Sequence, residues 1–158
     1  MKIRLALLLS LLWASAPVVA ETVTCPDLST AVQVGTCPSE EELQFTFTGY
    51  CSDNSRMYNM PEDLVCTNFD IYKSLKNFAL WETPDGRFSG YVSCEPGNSG
   101  IPGAHPVGIK LDKQGTVTRM FCRYSSGQVF AYRTKGKCVA DTAARCANDP
   151  AACKAECE

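Results

Sequence analysis

The sequence lacks the short motifs that mark several common enzyme classes. It has no CxxC pair, no HExxH segment and no glycine-rich loop of the kind that cradles a phosphate and opens a helix. Thioredoxin-type redox enzymes, HExxH zinc proteases and P-loop enzymes are therefore disfavoured. Histidine is nearly absent as well, since His105 is the only one. We predict a protein without catalytic activity and without a cofactor or a bound metal.

Long apolar runs are missing beyond the N-terminus. There, the basic start Met1–Arg4 precedes the apolar segment Leu5–Ala14, and Val18-Val19-Ala20 supplies the small residues that a signal peptidase reads. The apolar segment is shorter than the roughly 20 residues that span a bilayer. These features predict a signal peptide at residues 1–20, cleaved after Ala20, and a secreted or periplasmic protein whose mature chain has no membrane span.

A strong charge of either sign is also missing. The signal peptide holds two of the 15 basic residues and none of the 17 acidic ones, so the mature chain carries a net charge of −4. This ordinary balance gives no overall reason to predict binding to nucleic acid or to an anionic membrane. The length suits one domain.

Cysteine, by contrast, is abundant, and all ten residues follow the signal peptide. They are Cys25, Cys37, Cys51, Cys66, Cys94, Cys122, Cys138, Cys146, Cys153 and Cys157. An even number in an exported chain predicts five disulfides and no free thiol, with the connectivity left open. The alternative, a zinc site in segment 138–157, is disfavoured because its gaps of seven, six and three residues match no common zinc knuckle.

Alternation of polar and apolar residues dominates the body of the chain, and no long helical periodicity is evident between residues 21 and 138. Segment 43–51, LQFTFTGYC, places Leu43, Phe45 and Phe47 on one face and predicts a half-buried strand. Its acidic lead-in is predicted as a turn and residues 52–68 as a loop. Residues 105–115 are predicted as another short strand that leads into a turn.

Residues 78–94 predict a hairpin around Pro84-Asp85-Gly86. Proline presets φ, aspartate bonds nearby backbone and glycine accepts a positive φ. A three-residue loop places Leu80 opposite Gly90 and sets Trp81 and Tyr91 together on the face away from the core. Both aromatics are therefore candidates for contact with a partner, the alternative being that they pack under a second layer.

A second hairpin is predicted around Ser125-Ser126-Gly127. This loop places Cys122 opposite Phe130 on an apolar face. It also places Arg119 directly opposite Arg133 on the other face, which Arg123 shares. Opposed like charges cost stability. We therefore expect compensation, either from a nearby carboxylate and water or from an anionic ligand or acidic partner.

These segments predict an all-β fold for residues 21–140: a small, disulfide-rich antiparallel sandwich, or a meander or barrel, of about five to seven strands. The tail at residues 141–158 is predicted as two short helices, the first capped by Asp141 and the second starting at Asp149-Pro150. The second helix would set Cys153 and Cys157 on one face. We expect disulfides to pin this tail, because it has no apolar stripe.

The loop at residues 95–108 contains Gly97-Asn98-Ser99-Gly100, which resembles the nucleophile loop of chymotrypsin-like serine proteases. In that family the histidine precedes the serine, whereas His105 follows Ser99 here. Glycines and prolines account for the segment as loop punctuation. A small secreted hydrolase that uses Ser99 and His105 is kept as an alternative function.

The chain also resembles small exported bacterial proteins of unknown function. The resemblance is carried by Thr24-Cys25-Pro26, a strand containing Trp81, and Cys122-Arg123-Tyr124. It implies an envelope or secreted location and no activity. The absence of any Asn-x-Ser/Thr acceptor likewise favours a bacterial exported protein.

The function predicted from the sequence is therefore a non-catalytic binding module for a protein, a surface component or an inhibited enzyme. The candidate partner-binding residues are Arg119, Arg123, Arg133, Trp81, Tyr91 and His105. An exported toxin or effector is a further alternative, which sequence alone does not separate from the first.

Overall fold

The computed structural model describes residues 20–55, 64–97, 99–140, 146 and 148–158. Within them the chain forms nine strands and two α-helices, and both helices lie between the second and third strands. The helices are α1 (Glu40–Cys51) and α2 (Phe69–Lys76). The strands are β1 (Glu21–Thr24), β2 (Val32–Gln33), β3 (Phe78–Glu82), β4 (Phe88–Ser93), β5 (Pro106–Gln114), β6 (Val117–Tyr124), β7 (Val129–Thr134), β8 (Cys138–Val139) and β9 (Lys154–Cys157). A predominantly β, disulfide-rich class is confirmed, but the all-β prediction for residues 21–140 was wrong in leaving out α1 and α2.

The larger sheet has six antiparallel strands in the order β2-β3-β4-β7-β6-β5. The second predicted hairpin is confirmed in its register, since Cys122 pairs with Phe130 and Arg119 pairs with Arg133. Gly127 closes the turn with φ 87°, a conformation that favours glycine. The residues of the turn were sufficient to predict this register, because a three-residue loop fixes how the two strands pair.

The predicted register of the first hairpin was wrong by one residue. Trp81, rather than Leu80, pairs with Gly90. The cause is a four-residue loop, in which Thr83 donates its N–H to the Phe88 carbonyl at 3.0 Å. Asp85 accepts hydrogen bonds from the Thr83 hydroxyl at 2.5 Å and from the Arg87 N–H at 3.1 Å. A shift of one residue exchanges the faces of a strand, so Trp81 turns towards the core while Tyr91 stays outside.

The smaller sheet has three strands in the order β1-β9-β8. Its inward residues Val23 and Ala155 belong to the same buried cluster as Val92, Met120 and Phe130 of the larger sheet. The disulfide between Cys25 and Cys122 joins the segment after β1 to β6 inside that cluster. Hydrophobic burial and a covalent bridge therefore act at the same place.

Residues 40–51 form α1, so the predicted strand at 43–51 was wrong. Ser39 accepts a hydrogen bond from the Glu42 N–H at 3.1 Å, and the Glu42 carboxylate accepts one from the Ser39 N–H at 2.7 Å. This reciprocal capping box satisfies donors that a helix start otherwise leaves unpaired. Phe45 is therefore 79% exposed rather than buried with Leu43.

The described residues of the C-terminal tail do not form the predicted helix that starts at Asp149-Pro150. Asp149 caps a single 3-10 turn, Pro150–Ala152, and the next four residues are β9, which pairs with both β1 and β8. Cys153 and Cys157 thus do not share a helix face. Backbone pairing with two neighbouring strands outweighs the weak local preference for helix. The helix predicted to start at Asp141 lies largely outside the described residues.

Five disulfides are present and use all ten cysteines, as predicted. They join Cys25 to Cys122, Cys37 to Cys94, Cys51 to Cys66, Cys138 to Cys157 and Cys146 to Cys153. The bridge from Cys138 to Cys157 links β8 to β9, so a disulfide does pin the tail to a sheet. This cross-linking fits an extracellular, oxidising location.

The predicted signal peptide lies, except for Ala20, outside the described residues. In the part of the chain that the structure describes, none of the helices has the length and apolar character needed to cross a membrane.

Candidate interaction surface

The six-stranded sheet has one face towards the core and one face away from it, which we call the outer face. Tyr91 of β4 lies on the outer face opposite Leu80 of β3. The β4–β7 ladder ends at Gly90 and Phe130, and its register, continued by one residue, sets Tyr91 beside Val129, which pairs with Arg123 of β6. Tyr91 is 68% exposed and Val129 42% exposed. The middle of the outer face is therefore an apolar strip that ends at an arginine.

The arginines of the outer face differ in how they are held. Arg119 forms an ion pair with Asp112 at 2.7 Å and lies 5.6 Å from the centre of the Phe121 ring. Asp112 is thus the carboxylate that offsets the opposed pair Arg119 and Arg133. Arg133 is exposed and donates a hydrogen bond to the Ser89 hydroxyl at 3.3 Å. Arg123 is exposed as well, and no ion pair to it is found among the described residues.

An apolar groove next to Tyr91 extends this surface towards the helices. Leu75, Lys76, Phe78 and Tyr91 line it together. Leu75 is 55% exposed. Sequence reasoning missed Leu75 because it took no account of α2, which places this residue beside the sheet. The signal was available in Asn68, whose side chain caps α2 by accepting a hydrogen bond from the Asp70 N–H at 2.8 Å.

Trp81 belongs to the inner side and not to this surface. It is half-buried and packs against the core cluster, in keeping with the alternative that this aromatic supports a second layer. The structure therefore separates Trp81 from Tyr91, which sequence reasoning had placed on one face.

The loop at residues 95–108 is tied to the turn between β6 and β7. The Ser99 carbonyl accepts a hydrogen bond from the Gln128 side chain at 2.9 Å. His105 Nδ1 lies 3.2 Å from the Ser125 hydroxyl, and the His105 carbonyl accepts the Ser125 N–H at 2.9 Å. His105 is thus held by Ser125, and no hydrogen bond joins it to Ser99 among the described contacts. Asn98 lies outside the described residues.

Tyr124 and Asp85 have shifted pKa values, and both side chains make hydrogen bonds that support the fold. Burial raises the pKa of Tyr124 well above its ordinary value, and its hydroxyl donates to the Pro26 carbonyl at 2.7 Å. Hydrogen bonds from the Thr83 side chain and the Arg87 N–H lower the pKa of the Asp85 carboxyl within the β3–β4 turn. Neither group lines the outer face. Among the described residues, no three His, Cys, Asp or Glu side chains form a group that could hold a metal ion.

No family model matches the chain, and no significant match was found among curated proteins or solved structures.

Proposed function

We propose that this protein is a secreted or periplasmic, non-catalytic binding module that docks an acidic protein partner on the outer face of its larger sheet. The observation that carries the proposal is the exposed strip of Tyr91 and Val129 beside Arg123. Aromatic and arginine side chains together are the typical energetic centre of a protein interface. Disulfides suit a rigid scaffold that presents such a face in an oxidising compartment.

Charge complementarity supports an acidic partner. The mature chain is predicted to be net negative, whereas the outer face is net positive. Its basic residues are Lys110, Arg119, Arg123 and Arg133, and its acidic residues are Glu82 and Asp112. A positive face on a negative protein orients an acidic partner and speeds its association.

The scaffold that carries this face is, we infer, a sandwich in which the smaller sheet covers the inner face of the larger one. The shared core cluster and the bridge between Cys25 and Cys122 support this arrangement. The outer face is then the side of the sheet that remains for a partner.

The experiment is to capture one partner from the native extracytoplasmic fraction and to measure its affinity for matched variants. Tyr91→Ala removes the apolar centre, and we expect the affinity to fall at least about tenfold. Val139→Ala is the control, because Val139 is also an exposed apolar residue but lies in the smaller sheet.

The charge contribution is tested with Arg123→Glu combined with Arg133→Glu, against Lys135→Glu as an exposed control in the loop after β7. We expect the double variant to slow association and to abolish its salt dependence, while the control keeps both. A partner that binds all of these variants equally well does not use the outer face, and the proposal would be wrong.

The absence of catalysis is tested separately with a serine-reactive fluorophosphonate. Labelling of the native chain that disappears in Ser99→Ala would replace the binding proposal with the alternative of a hydrolase. An exported toxin or effector would use the same face on a host protein, and the identity of the captured partner distinguishes that case.

A further inference from the structure

Strand β5 forms a long edge of the larger sheet. It has nine residues, whereas β2 at the opposite edge has two. In the described part of the chain, β6 is the one strand that pairs with it. Among the described residues, no strand pairs with the N–H and C=O groups on the other side of β5, and such groups are a template for a further strand.

The regular part of β5 is the segment from Gly108 to Gln114. A register irregularity separates it from Pro106, so pairing in a uniform ladder starts at Gly108. Two copies of one strand that pair edge to edge and antiparallel are related by a two-fold axis perpendicular to the sheet. The axis passes midway between one residue and the same residue of the other copy. Every other residue then lies opposite a residue whose side chain is on the same face of the sheet.

The charge pattern selects which residue lies on that axis. Lys110 and Asp112 both lie on the outer face, because they pair with Phe121 and Arg119 of β6. Centring the axis on Lys110 or on Asp112 would oppose like charges, which is destabilising. Centring it on Leu111 sets Lys110 of each copy opposite Asp112 of the other and uses the whole segment from Gly108 to Gln114.

We propose that two copies of this protein dimerise through β5, in the antiparallel register centred on Leu111. Lysine on an edge strand usually blocks pairing. Here the opposite charge two residues further on makes the strand complementary to itself in one register. Asp112 already accepts a hydrogen bond from Arg119 at 2.7 Å. Its carboxylate has acceptor capacity left for a lysine from the other side.

The dimer would hold both outer faces on the same side of one continuous twelve-stranded sheet, by doubling the six strands of each copy. It is formed by β5 and does not involve Tyr91, Val129 or Arg123, so it does not depend on the proposed partner. The two proposals therefore fail independently.

Sedimentation velocity on the fully oxidised mature chain, from about 1 μM to about 1 mM, tests the dimer over the range of weak association. Lys110→Asp and Asp112→Lys each place two like-charged pairs across the axis, and we expect each variant alone to dissociate at least about tenfold more readily. An equimolar mixture of the two restores opposite charges at both positions and should recover the dimer. Lys135→Asp makes the same change of charge as Lys110→Asp away from β5 and should leave the dimer intact.

Carbodiimide coupling of the unmodified protein tests the register without relying on any variant. It joins the Lys110 amine to the Asp112 carboxylate as an amide, and the carbodiimide takes up the water that is lost. In a mixture of isotope-labelled and unlabelled chains, we expect peptides that link Lys110 of one isotope to Asp112 of the other. A chain that stays monomeric throughout, a dimer that lacks this link, or folded variants that fail to pair when mixed would overturn the proposal.

Discussion

At the scale of single residues, Gly90 and Gly49 show how differently two glycines are constrained. A Cβ atom on Gly90 would lie 2.6 Å from the Val129 carbonyl oxygen and 2.7 Å from the Phe130 ring. Gly49 of α1 has no atom within 4 Å of the same position. Gly90 is therefore required by the close approach of β4 to β7 beneath the outer face, whereas Gly49 only weakens a helix.

We therefore expect Gly90→Ala to destabilise the protein by about 1–3 kcal/mol, because backbone and a core ring must move. Gly49→Ala is the matched control and should stabilise α1 by about 0.5–1 kcal/mol. The midpoints of denaturant unfolding measure both changes. Equal effects of the two substitutions would show that the contact at Gly90 is not tight.

At the scale of elements, α1 shows that a helix-capping signal outweighs a short stretch of alternating polar and apolar residues. Leu43, Phe45 and Phe47 alternate with polar residues as a strand would, but Ser39 and Glu42 have the spacing of a capping box. Alternation over a few residues leaves helix and strand ambiguous, whereas the reciprocal hydrogen bonds of a capping box are specific to a helix start. Tyr72 of α2 lies 5.3 Å from the Phe47 ring, and this tertiary contact supports the helix further.

Ser39→Ala should cost about 1 kcal/mol, since it leaves the Glu42 N–H without its hydroxyl acceptor. Thr48→Ala removes a hydroxyl from the interior of the same helix, where it bonds the Gln44 carbonyl at 3.0 Å. We expect that control to be neutral or slightly stabilising, because alanine is the better helix former. Hydrogen exchange of the amides in residues 40–51 measures the difference. Equal protection in the two variants would contradict the role of the cap.

At the scale of the whole molecule, the disulfides differ in the length of chain that they close. The bridge from Cys25 to Cys122 spans 97 residues, and the bridge from Cys51 to Cys66 spans 15. The longer closure removes more entropy from the unfolded chain, and it also lies inside the core cluster.

Removing the longer bridge with Cys25→Ala/Cys122→Ala should therefore destabilise the protein by about 4–5 kcal/mol, and Cys51→Ala/Cys66→Ala by about 3 kcal/mol. Free energies of unfolding of the two variants, each checked by intact mass for its four remaining bridges, give the comparison. A larger loss from the shorter bridge would show that native contacts around α1, rather than chain closure, set the order.

The amino-acid sequence by itself determined the disulfide-rich β class, the number of bridges and the register from Arg119 to Arg133. These follow from cysteine count, from period-two alternation and from the turn at Ser125-Ser126-Gly127, all of which act over short distances or on composition. Tertiary structure alone decided which cysteines pair and that β9 joins β1 and β8. The physical reason is that these outcomes depend on which distant surfaces are buried together, and burial between distant segments leaves no pattern in either segment alone.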